Sequence, residues 1–164
     1  GVSRPNFFKG VCMVVLRLFN IVTPNKAYFG EKDYQQLFII KKMVSDFFLP
    51  IQVKSVPTKR ESDGLAYSSR NLKLTKTDRA LAPIIYQSMC EIQKSYLAGE
   101  TRTTVLRDLA ISHLKTSPLK IDYLEILNET TLKNSEIITN NDRIFFAGYL
   151  GNVRLIDNIS IGNT

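Results

Sequence analysis

Side chains able to bind a phosphorylated ligand are concentrated between an apolar run and the start of a helical pattern. Residues 27–29 predict the end of a short buried strand, Gly30 interrupts it, and Asp33 begins the helical pattern. Open α/β sheets bind ligands beyond the carboxyl ends of their strands, where helix N-termini point. Lys32 can supply a positive charge to a phosphate, and Asp33 can accept a hydrogen bond from a hydroxyl. Gln36 follows one turn along the same helix face.

The same stretch also has a purely structural interpretation. Asp33 would then be only a helix N-cap and Lys32 only a solvated charge, because corners between a strand and a helix commonly carry such residues. A second polar stretch, Ser68-Ser69-Arg70, favours a ligand site. Two hydroxyls followed by arginine can bind phosphate oxygens, the guanidinium through its rigid fork. By itself that short stretch is typical of many ordinary loops.

The elements that position the first stretch form a βαβ unit. A helix is predicted over residues 7–22, and its wide apolar face indicates that it is largely buried. Strands over 26–29 and 51–56 flank a helix over 33–48. A strand, a helix and a strand in this order predict parallel pairing with a right-handed crossover. The apolar positions of the first helix are Val11, Val14, Val15, Leu18, Phe19 and Val22.

The second polar stretch lies in a segment without periodicity, residues 57–71, which is predicted to be a loop on the ligand side of the sheet and a boundary. After it, a Thr-x-x-Asp cap at Thr75 opens a predicted helix that runs to about residue 97. Gly151-Asn152 fits a two-residue hairpin turn with glycine first. Residues 72–164 thus predict a small α+β unit, with helices over 75–97 and 102–116 and strands over 121–127, 143–149 and 153–161.

Composition limits the classes of function. The 164 residues are 44% apolar and 23% charged, so the chain can bury one core or two small ones, and no run of apolar residues is long enough to cross a membrane. A net charge of +7 suits anionic partners. The basic residues are dispersed, without a long run or interleaved aromatic residues, which is a weak footprint for nucleic-acid binding.

The cysteines and the single histidine exclude some kinds of catalytic site. Cys12 and Cys90 fall in helical patterns and are expected to be small buried residues in a reducing compartment. His113 is the only histidine, so a Cys/His zinc set and a Ser-His-Asp triad are not expected. We expect His113 to be a surface or half-buried structural residue.

Taken in order, several short motifs resemble one family, the pantothenate synthetases or pantoate–β-alanine ligases. Together they extend through most of the chain, and the set is more specific than any of its parts. The matching motifs are Ser3-Arg4-Pro5, Gly10-Val11, the stretch from Phe29 to Gln36, Asp63-Gly64-Leu65-Ala66, Ser68-Ser69-Arg70-Asn71 and Leu155-Ile156-Asp157-Asn158.

The resemblance implies an ATP-dependent ligase. In this family the carboxylate of pantoate attacks the α-phosphorus of ATP, and the amine of β-alanine then displaces AMP from pantoyl adenylate. Cytoplasmic enzymes that use Mg²⁺ and form homodimers are implied, with no membrane and no nucleic acid among the partners. The implied fold is α/β, a partial Rossmann-like parallel sheet followed by a small α+β domain with an antiparallel sheet. Expected divisions are residues 1–60, a phosphate-binding hinge loop at 61–71, and 72–164.

The resemblance also implies roles for individual residues. Lys32 and Arg70 would be the catalytic cations, and no protein nucleophile or protein metal ligand is implied. Gln36 would hydrogen-bond pantoate, beside an apolar wall of Phe29, Val14 and Val15. The implied ATP contacts are Gly30, Glu31, Lys32, Asp33, the backbone near Lys59, Tyr67, Ser68, Ser69 and Arg70.

The sequence departs from the family pattern in places. The family's His-x-Gly-His signature is absent, and we expect it in a segment preceding Gly1. Phe7 stands where the family usually has histidine, Tyr67 where it has methionine or leucine, and Lys59 where it has valine. Two alternatives therefore stay open: a non-catalytic nucleotide- or pantoate-binding fragment, and a basic nucleic-acid-binding module suggested only by the charge.

Overall fold

The computed structural model describes residues 7–162, which divide into two units at the bond between Thr58 and Lys59. This boundary lies two residues before the one expected from the sequence. The motif Ser3-Arg4-Pro5 lies outside the described residues. Within residues 7–162, none of the helices is long and apolar enough to span a membrane.

The first unit contains the predicted βαβ arrangement. Helix α1 (Phe7–Val22) precedes β1 (Lys26–Gly30), a 3₁₀ turn (Glu31–Asp33), α2 (Tyr34–Asp46) and β2 (Gln52–Val56). Strands β1 and β2 pair in parallel, with Lys26 opposite Gln52 and Gly30 opposite Val56. The parallel pairing predicted from the sequence is therefore confirmed, and the carboxyl ends of the two strands lie side by side.

One face of this sheet packs against the two helices. Phe19 of α1 and Ile40 and Met43 of α2 form the buried centre, against which Phe29 and Val53 of the strands pack. The rings of Phe19 and Phe29 meet edge to face, with centroids 6.4 Å apart. This contact fixes the end of β1 against α1, just before the polar turn.

Helix α1 is less buried than its pattern predicted. Phe19 is its only fully buried residue, and Val14 is 58% exposed. Only the side of α1 that faces the sheet is packed. The apolar face is wider than this packed side, so the rest of it is exposed. The apolar side chains of α1 that are half exposed or more are Met13, Val14, Leu18, Ile21 and Val22.

The second unit packs helices against an antiparallel sheet in the order β3-β4-β5. The predicted helix over 75–97 is broken in two, since Pro83 has no N–H to donate and its ring disrupts the preceding turn. The predicted cap at Thr75 is confirmed, because its Oγ1 accepts a hydrogen bond of 3.1 Å from the Asp78 amide. The elements are α3 (Lys76–Leu81), α4 (Ile84–Leu97), α5 (Thr103–Leu114), β3 (Lys120–Asn128), β4 (Asp142–Leu150) and β5 (Val153–Ser160).

The hairpin between β4 and β5 has the predicted two-residue turn. Leu150 pairs with Val153, and Gly151 has φ of +53° while Asn152 does not have a positive φ. A positive φ at the first central residue alone is the conformation that favours glycine there.

The core of this unit lies between the sheet and helices α4 and α5. The largest fully buried side chains that form it include Ile85, Met89 and Ile92 of α4, Leu106 and Leu114 of α5, and Ile126, Ile144 and Phe146 of the sheet.

Cys12 and Cys90 are free thiols on α1 and α4, and each is half-buried rather than buried. The expectation for His113 is confirmed. Its side chain is partly exposed, and Nδ1 lies 2.8 Å from Glu91 Oε2 on the neighbouring helix α4.

Candidate functional site

The first polar stretch lies at the carboxyl end of β1, in the turn that leads into α2. Gly30 has an extended conformation (φ −70°, ψ 136°), and residues 31–33 form one 3₁₀ turn before α2 begins at Tyr34. The helix therefore starts one residue later than predicted. Because β2 ends beside Gly30, the turn occupies the edge of the sheet where α/β proteins bind ligands.

The surroundings of Gly30 leave room for a ligand. Among residues 7–162, apart from its chain neighbours, no heavy atom lies within 4 Å of where a Cβ on Gly30 would stand. Its φ is one that every L-residue adopts. Neither the backbone nor the packing of the chain itself therefore requires glycine at this position.

Asp33 occupies the N-cap position of α2 but does not act as a cap. Its side chain makes no capping hydrogen bond, and the residue is exposed. The capping hydrogen bond expected from the structural interpretation is therefore not made, although Asp33 does occupy the N-cap position. Lys32 and Gln36 are half-buried on either side of the start of α2. The turn thus presents a carboxylate close in sequence to an amine and an amide.

The three residues expected to form an apolar wall have different surroundings. Phe29 and Val15 are half-buried and pack against the core of the first unit. Val14, the neighbour of Val15 on α1, points away from that core and is largely exposed. Phe29 and Val15 therefore belong to one packed group, and Val14 to the exposed apolar face of α1.

The second polar stretch lies in the second unit, on a segment more ordered than predicted. Residues 59–67 form a small hairpin in which Arg60 bridges Ala66 and the Tyr67 amide donates to the Lys59 carbonyl at 2.9 Å. Gly64 has φ of +92° at its turn. The loop expected over residues 57–71 thus contains no strand, but one antiparallel bridge orders it as a small hairpin.

Beyond the hairpin, Ser69–Lys73 form a short 3₁₀ helix that carries the predicted phosphate ligands. Ser68 Oγ accepts a hydrogen bond of 3.2 Å from the Arg70 amide, and Arg70 Nη1 donates to the Arg154 carbonyl of β5 at 3.3 Å. Ser69 is exposed. Two hydroxyls and a guanidinium are therefore gathered on one turn, with the arginine already oriented by the sheet.

Tyr67 and Lys59 pack against each other at the base of the hairpin. Lys59 Nζ lies 5.0 Å from the centroid of the Tyr67 ring, which is about half exposed. This is a cation–π contact between two of the positions at which the sequence departs from the family pattern.

Asn71 closes the segment. Its Nδ2 donates to the Ala66 carbonyl at 3.0 Å, whereas its buried Oδ1 has no hydrogen-bond partner among the described residues. An acceptor of this kind, two residues from Ser69, is satisfied by a water or a ligand donor.

Sequence reasoning missed the contacts that hold the hairpin. Arg60 donates to both carboxylate oxygens of Asp157 at 2.6 and 3.0 Å, and its guanidinium lies 4.1 Å from the centroid of the Tyr86 ring. In the sequence, Asp157 stands out only as part of a motif near the end of the chain. Because Arg60 and Asp157 are 97 positions apart, no local pattern could pair them.

Arg79 of α3 binds the outer side of the same hairpin. It donates to Asp63 Oδ2 at 2.6 Å and to Glu61 Oε2 at 2.9 Å. The hydrogen bond from Arg79 lowers the pKa of Asp63, so this partly exposed carboxylate stays ionised to more acidic pH. The hairpin is thus held by arginine pairs on two sides.

In the described part of the chain, no group of three or more His, Cys, Asp or Glu side chains could hold a metal ion.

The predicted residues from Gly30 to Gln36, with Val14 and Val15, lie in the first unit. Lys59 and the residues from Tyr67 to Arg70 lie in the second.

Comparison with protein families gives a match over nearly the whole chain. The family model described as pantoate-beta-alanine ligase matches residues 1–160. A pantothenate synthetase of Carboxydothermus hydrogenoformans is 48% identical over 159 residues, which are 96% of this chain and 56% of that protein. A bifunctional pantoate ligase/cytidylate kinase of Trichodesmium erythraeum is 46% identical over 167 residues, 99% of this chain and 32% of that protein.

Comparison with solved structures gives matches in the same family. The crystal structure of pantothenate synthetase from Thermus thermophilus matches with a TM-score of 0.94 at 40% identity, over 98% of this chain and 58% of that one. Pantoate-beta-alanine ligase from Francisella tularensis, complexed with beta-gamma ATP and beta-alanine, matches with a TM-score of 0.71 at 37% identity, over 100% and 54%. The fold is that of pantothenate synthetase, a nucleotidyltransferase-like fold. The chain spans little more than half the length of most of these relatives.

Proposed function

Because this chain belongs to the pantoate–beta-alanine ligase family, we propose that it carries part of an active site that condenses pantoate with β-alanine at the expense of ATP. The observation that carries the proposal is the turn after β1. There the space beside Gly30 is open although the chain's own packing does not require a glycine, and Asp33 occupies the N-cap position without making a capping hydrogen bond. The Francisella tularensis relative, complexed with beta-gamma ATP and beta-alanine, supports these two substrates.

The proposed reaction proceeds in two balanced steps. A carboxylate oxygen of pantoate attacks the α-phosphorus of ATP, the bond to the bridging oxygen breaks, and pyrophosphate leaves with that electron pair. The amine of β-alanine then attacks the acyl carbon of pantoyl adenylate. AMP departs and the nitrogen loses a proton, which gives pantothenate. Neither step needs a protein nucleophile, so the protein contributes position and positive charge.

In the first unit, the turn and the start of α2 would bind the reacting ends of both substrates. Open space at Gly30 lets the backbone approach ATP, and Lys32 neutralises phosphate oxygens that gain charge during adenylyl transfer. Asp33 would bind the ribose or orient its neighbours, next to Glu31 on the ATP side. Gln36 would hydrogen-bond pantoate against the apolar surface of Phe29, Val14 and Val15.

In the second unit, the triphosphate would bind the turn that follows the hairpin. Ser68 and Ser69 offer hydroxyls, and Arg70 offers the N–H groups of its guanidinium that the Arg154 carbonyl does not use. Tyr67 and the backbone near Lys59 would contact the nucleotide. Arg70 would be the catalytic cation of this unit, as Lys32 would be of the first.

Mg²⁺ is implied by the family, and the donors present fit a metal that arrives with the nucleotide. Such a Mg²⁺ is held mainly by phosphate oxygens and water, with one or two carboxylates, so it needs no cluster of protein ligands. When bound, the ion would supply positive charge to the phosphates. A homodimer is part of the same proposal.

The test is exchange of labelled pyrophosphate into ATP that depends on pantoate, because it reports adenylation alone. We would measure it on this chain, and on a chimera in which the chain replaces the matched region of the Carboxydothermus hydrogenoformans relative. Exchange by the chimera is expected. A folded chimera that supports no exchange would contradict the proposal and favour a non-catalytic nucleotide- or pantoate-binding fragment.

Lys32→Ala in the chimera should lower the exchange rate by at least about a hundredfold, the usual cost of removing a charge that stabilises a transition state. The thermal midpoint should change little, because Lys32 is in a turn outside the buried core. Lys41→Ala, an exposed lysine of α2, is the matched control and should keep the full rate. A Lys32→Ala variant with undiminished exchange would refute the assignment of this residue.

A further inference from the structure

Arg60 is enclosed on several sides by groups from three different elements. Its two terminal nitrogens donate to Asp157 of β5, Nη1 also donates to the Gly64 carbonyl at 3.0 Å, and the plane lies over Tyr86 of α4. The Arg60 side chain is 17% exposed and that of Asp157 only 4%. A bidentate pair with this little exposure fixes a guanidinium in one orientation.

The pair connects the hairpin to both layers of the second unit. Asp157 belongs to the sheet, and Tyr86 to the helix layer that packs on it. The hydrogen bond between Tyr86 and Cys90, together with burial, raises the pKa of Tyr86, so the ring beside Arg60 is neutral. The contact to the Gly64 carbonyl lies within the hairpin itself. Arg60 therefore sets both the shape of the hairpin and its place on the sheet.

The far end of the same segment returns to the same strand. Arg70 donates to the carbonyl of Arg154, three positions before Asp157 on β5. Ser68 and Ser69 lie between these two attachments. Arg60 thus attaches one end of the segment to β5, and Arg70 attaches the other end to the same strand.

We propose that the Arg60–Asp157 pair holds Ser68, Ser69 and Arg70 in the geometry that binds the polyphosphate of a nucleotide. This rests on the proposed function, and it makes Arg60 a positioning residue that acts through Arg70 without touching the ligand. Preorganisation removes the cost of ordering these side chains on binding. Loss of the pair therefore weakens polyphosphate binding without removing any group that contacts the ligand.

Arg60→Lys tests the proposal, because lysine keeps the charge but cannot form the bidentate fork. Binding of inorganic tripolyphosphate to the purified full chain is measured by isothermal titration calorimetry. We expect the Kd to rise about tenfold while the stoichiometry is unchanged, the signature of folded protein with a misplaced site. If the pair only stabilised the fold, part of the variant would be unfolded and unable to bind, so the stoichiometry would fall while the Kd stayed constant. That result would overturn the proposal.

The control variant is Ile144→Val, which removes a methylene from the fully buried core on β4. Its Kd should equal that of the wild type even if its thermal midpoint falls as far as that of Arg60→Lys. An equal rise in Kd in Ile144→Val would show that general loosening of the unit is the cause, and would contradict the proposal.

A double-mutant cycle then asks whether Arg60 acts through Arg70. Arg70→Gln should weaken binding by itself, and adding Arg60→Lys to it should raise the Kd by less than twofold further. Two full and independent effects would overturn the positioning role. A wild-type chain that binds no tripolyphosphate would instead refute the proposed ATP site, so failure of the function and failure of this inference give different results.

Discussion

At the scale of single residues, Gly30 and Gly64 are glycines for different reasons. Gly64 has a left-handed φ, and a Cβ there would lie 2.3 Å from Cδ1 of Tyr86. The fold itself therefore requires glycine at this position. At Gly30 the conformation is extended and the space is open, so the chain makes no such demand. A ligand that approaches the backbone at this edge of the sheet would give a physical reason for glycine there, and this can be tested by substitution.

Gly30→Ala separates these two reasons. Stability should stay the same or increase by up to about 1 kcal/mol, because alanine restricts the unfolded chain at a φ it readily adopts. The KM for ATP in the chimera should rise at least about tenfold, because the new methyl group occupies the ligand's space.

Gly64→Ala is the reciprocal control for Gly30→Ala. It should lower the free energy of unfolding by about 2 kcal/mol or more through left-handed strain and overlap with Tyr86. Thermal unfolding and steady-state kinetics on the same samples check both expectations. An unchanged KM for ATP in Gly30→Ala would count against a nucleotide at this turn.

At the scale of elements, helix α2 ends in a Schellman motif with an unusual residue. The Leu49 amide donates to the Val44 carbonyl at 2.9 Å and the Phe48 amide to the Ser45 carbonyl at 3.1 Å, which is the pattern of this motif. Phe48 has φ of +52° and is 92% exposed. The predicted helix over 33–48 therefore stops at Asp46, because Phe48 leaves the right-handed conformation.

Phe48→Asn should raise the free energy of unfolding by about 1 kcal/mol, because asparagine accepts the left-handed conformation more readily than phenylalanine does. Phe47→Asn is the matched control, since Phe47 is also exposed but has φ of −95°. It should give no gain. Chemical denaturation of the three proteins measures the difference, and equal stability of Phe48→Asn and wild type would contradict the strain argument.

Sequence patterns located most of the elements, and each miss has a local cause. Apolar spacing and caps are properties of neighbouring residues, so α1, the βαβ unit and the hairpin at Gly151 could be predicted. The apolar period over residues 75–97 continues across Pro83, so it predicts a single helix where the structure has α3 and α4. The hairpin over 59–67 has no hydrophobic periodicity, so no pattern in the sequence indicates it. The exposure of α1 depends on which other parts of the protein pack against the helix, and its own sequence does not specify them.

At the scale of the whole molecule, the first unit exposes more apolar surface than an isolated fold favours. Its parallel sheet has two strands and one packed face, whereas parallel sheets are normally covered on both faces. On the other face Tyr28 is two-thirds exposed, and much of the apolar face of α1 is open as well. Such surface ordinarily binds another polypeptide segment or leads to association.

We expect the isolated chain to self-associate as its concentration rises and to bind a hydrophobic dye. The variant Leu18→Gln/Ile21→Gln, on the exposed face of α1, should reduce both effects. Lys9→Gln on the same helix is the control and should change neither. Sedimentation velocity is the measurement, and a cooperative monomer that binds no dye would refute the expectation.

The sequence by itself determined the family, most of the secondary-structure elements of both units and the two polar stretches, because motifs, caps and periodicities are encoded by residues close together in the chain. Only the tertiary structure decided that Asp33 does not cap α2, that Gly30 faces open space, and that Arg60 pairs with Asp157. The physical reason is that burial, orientation and ion pairing depend on partners brought together by folding. Those partners leave no local pattern in the order of the residues.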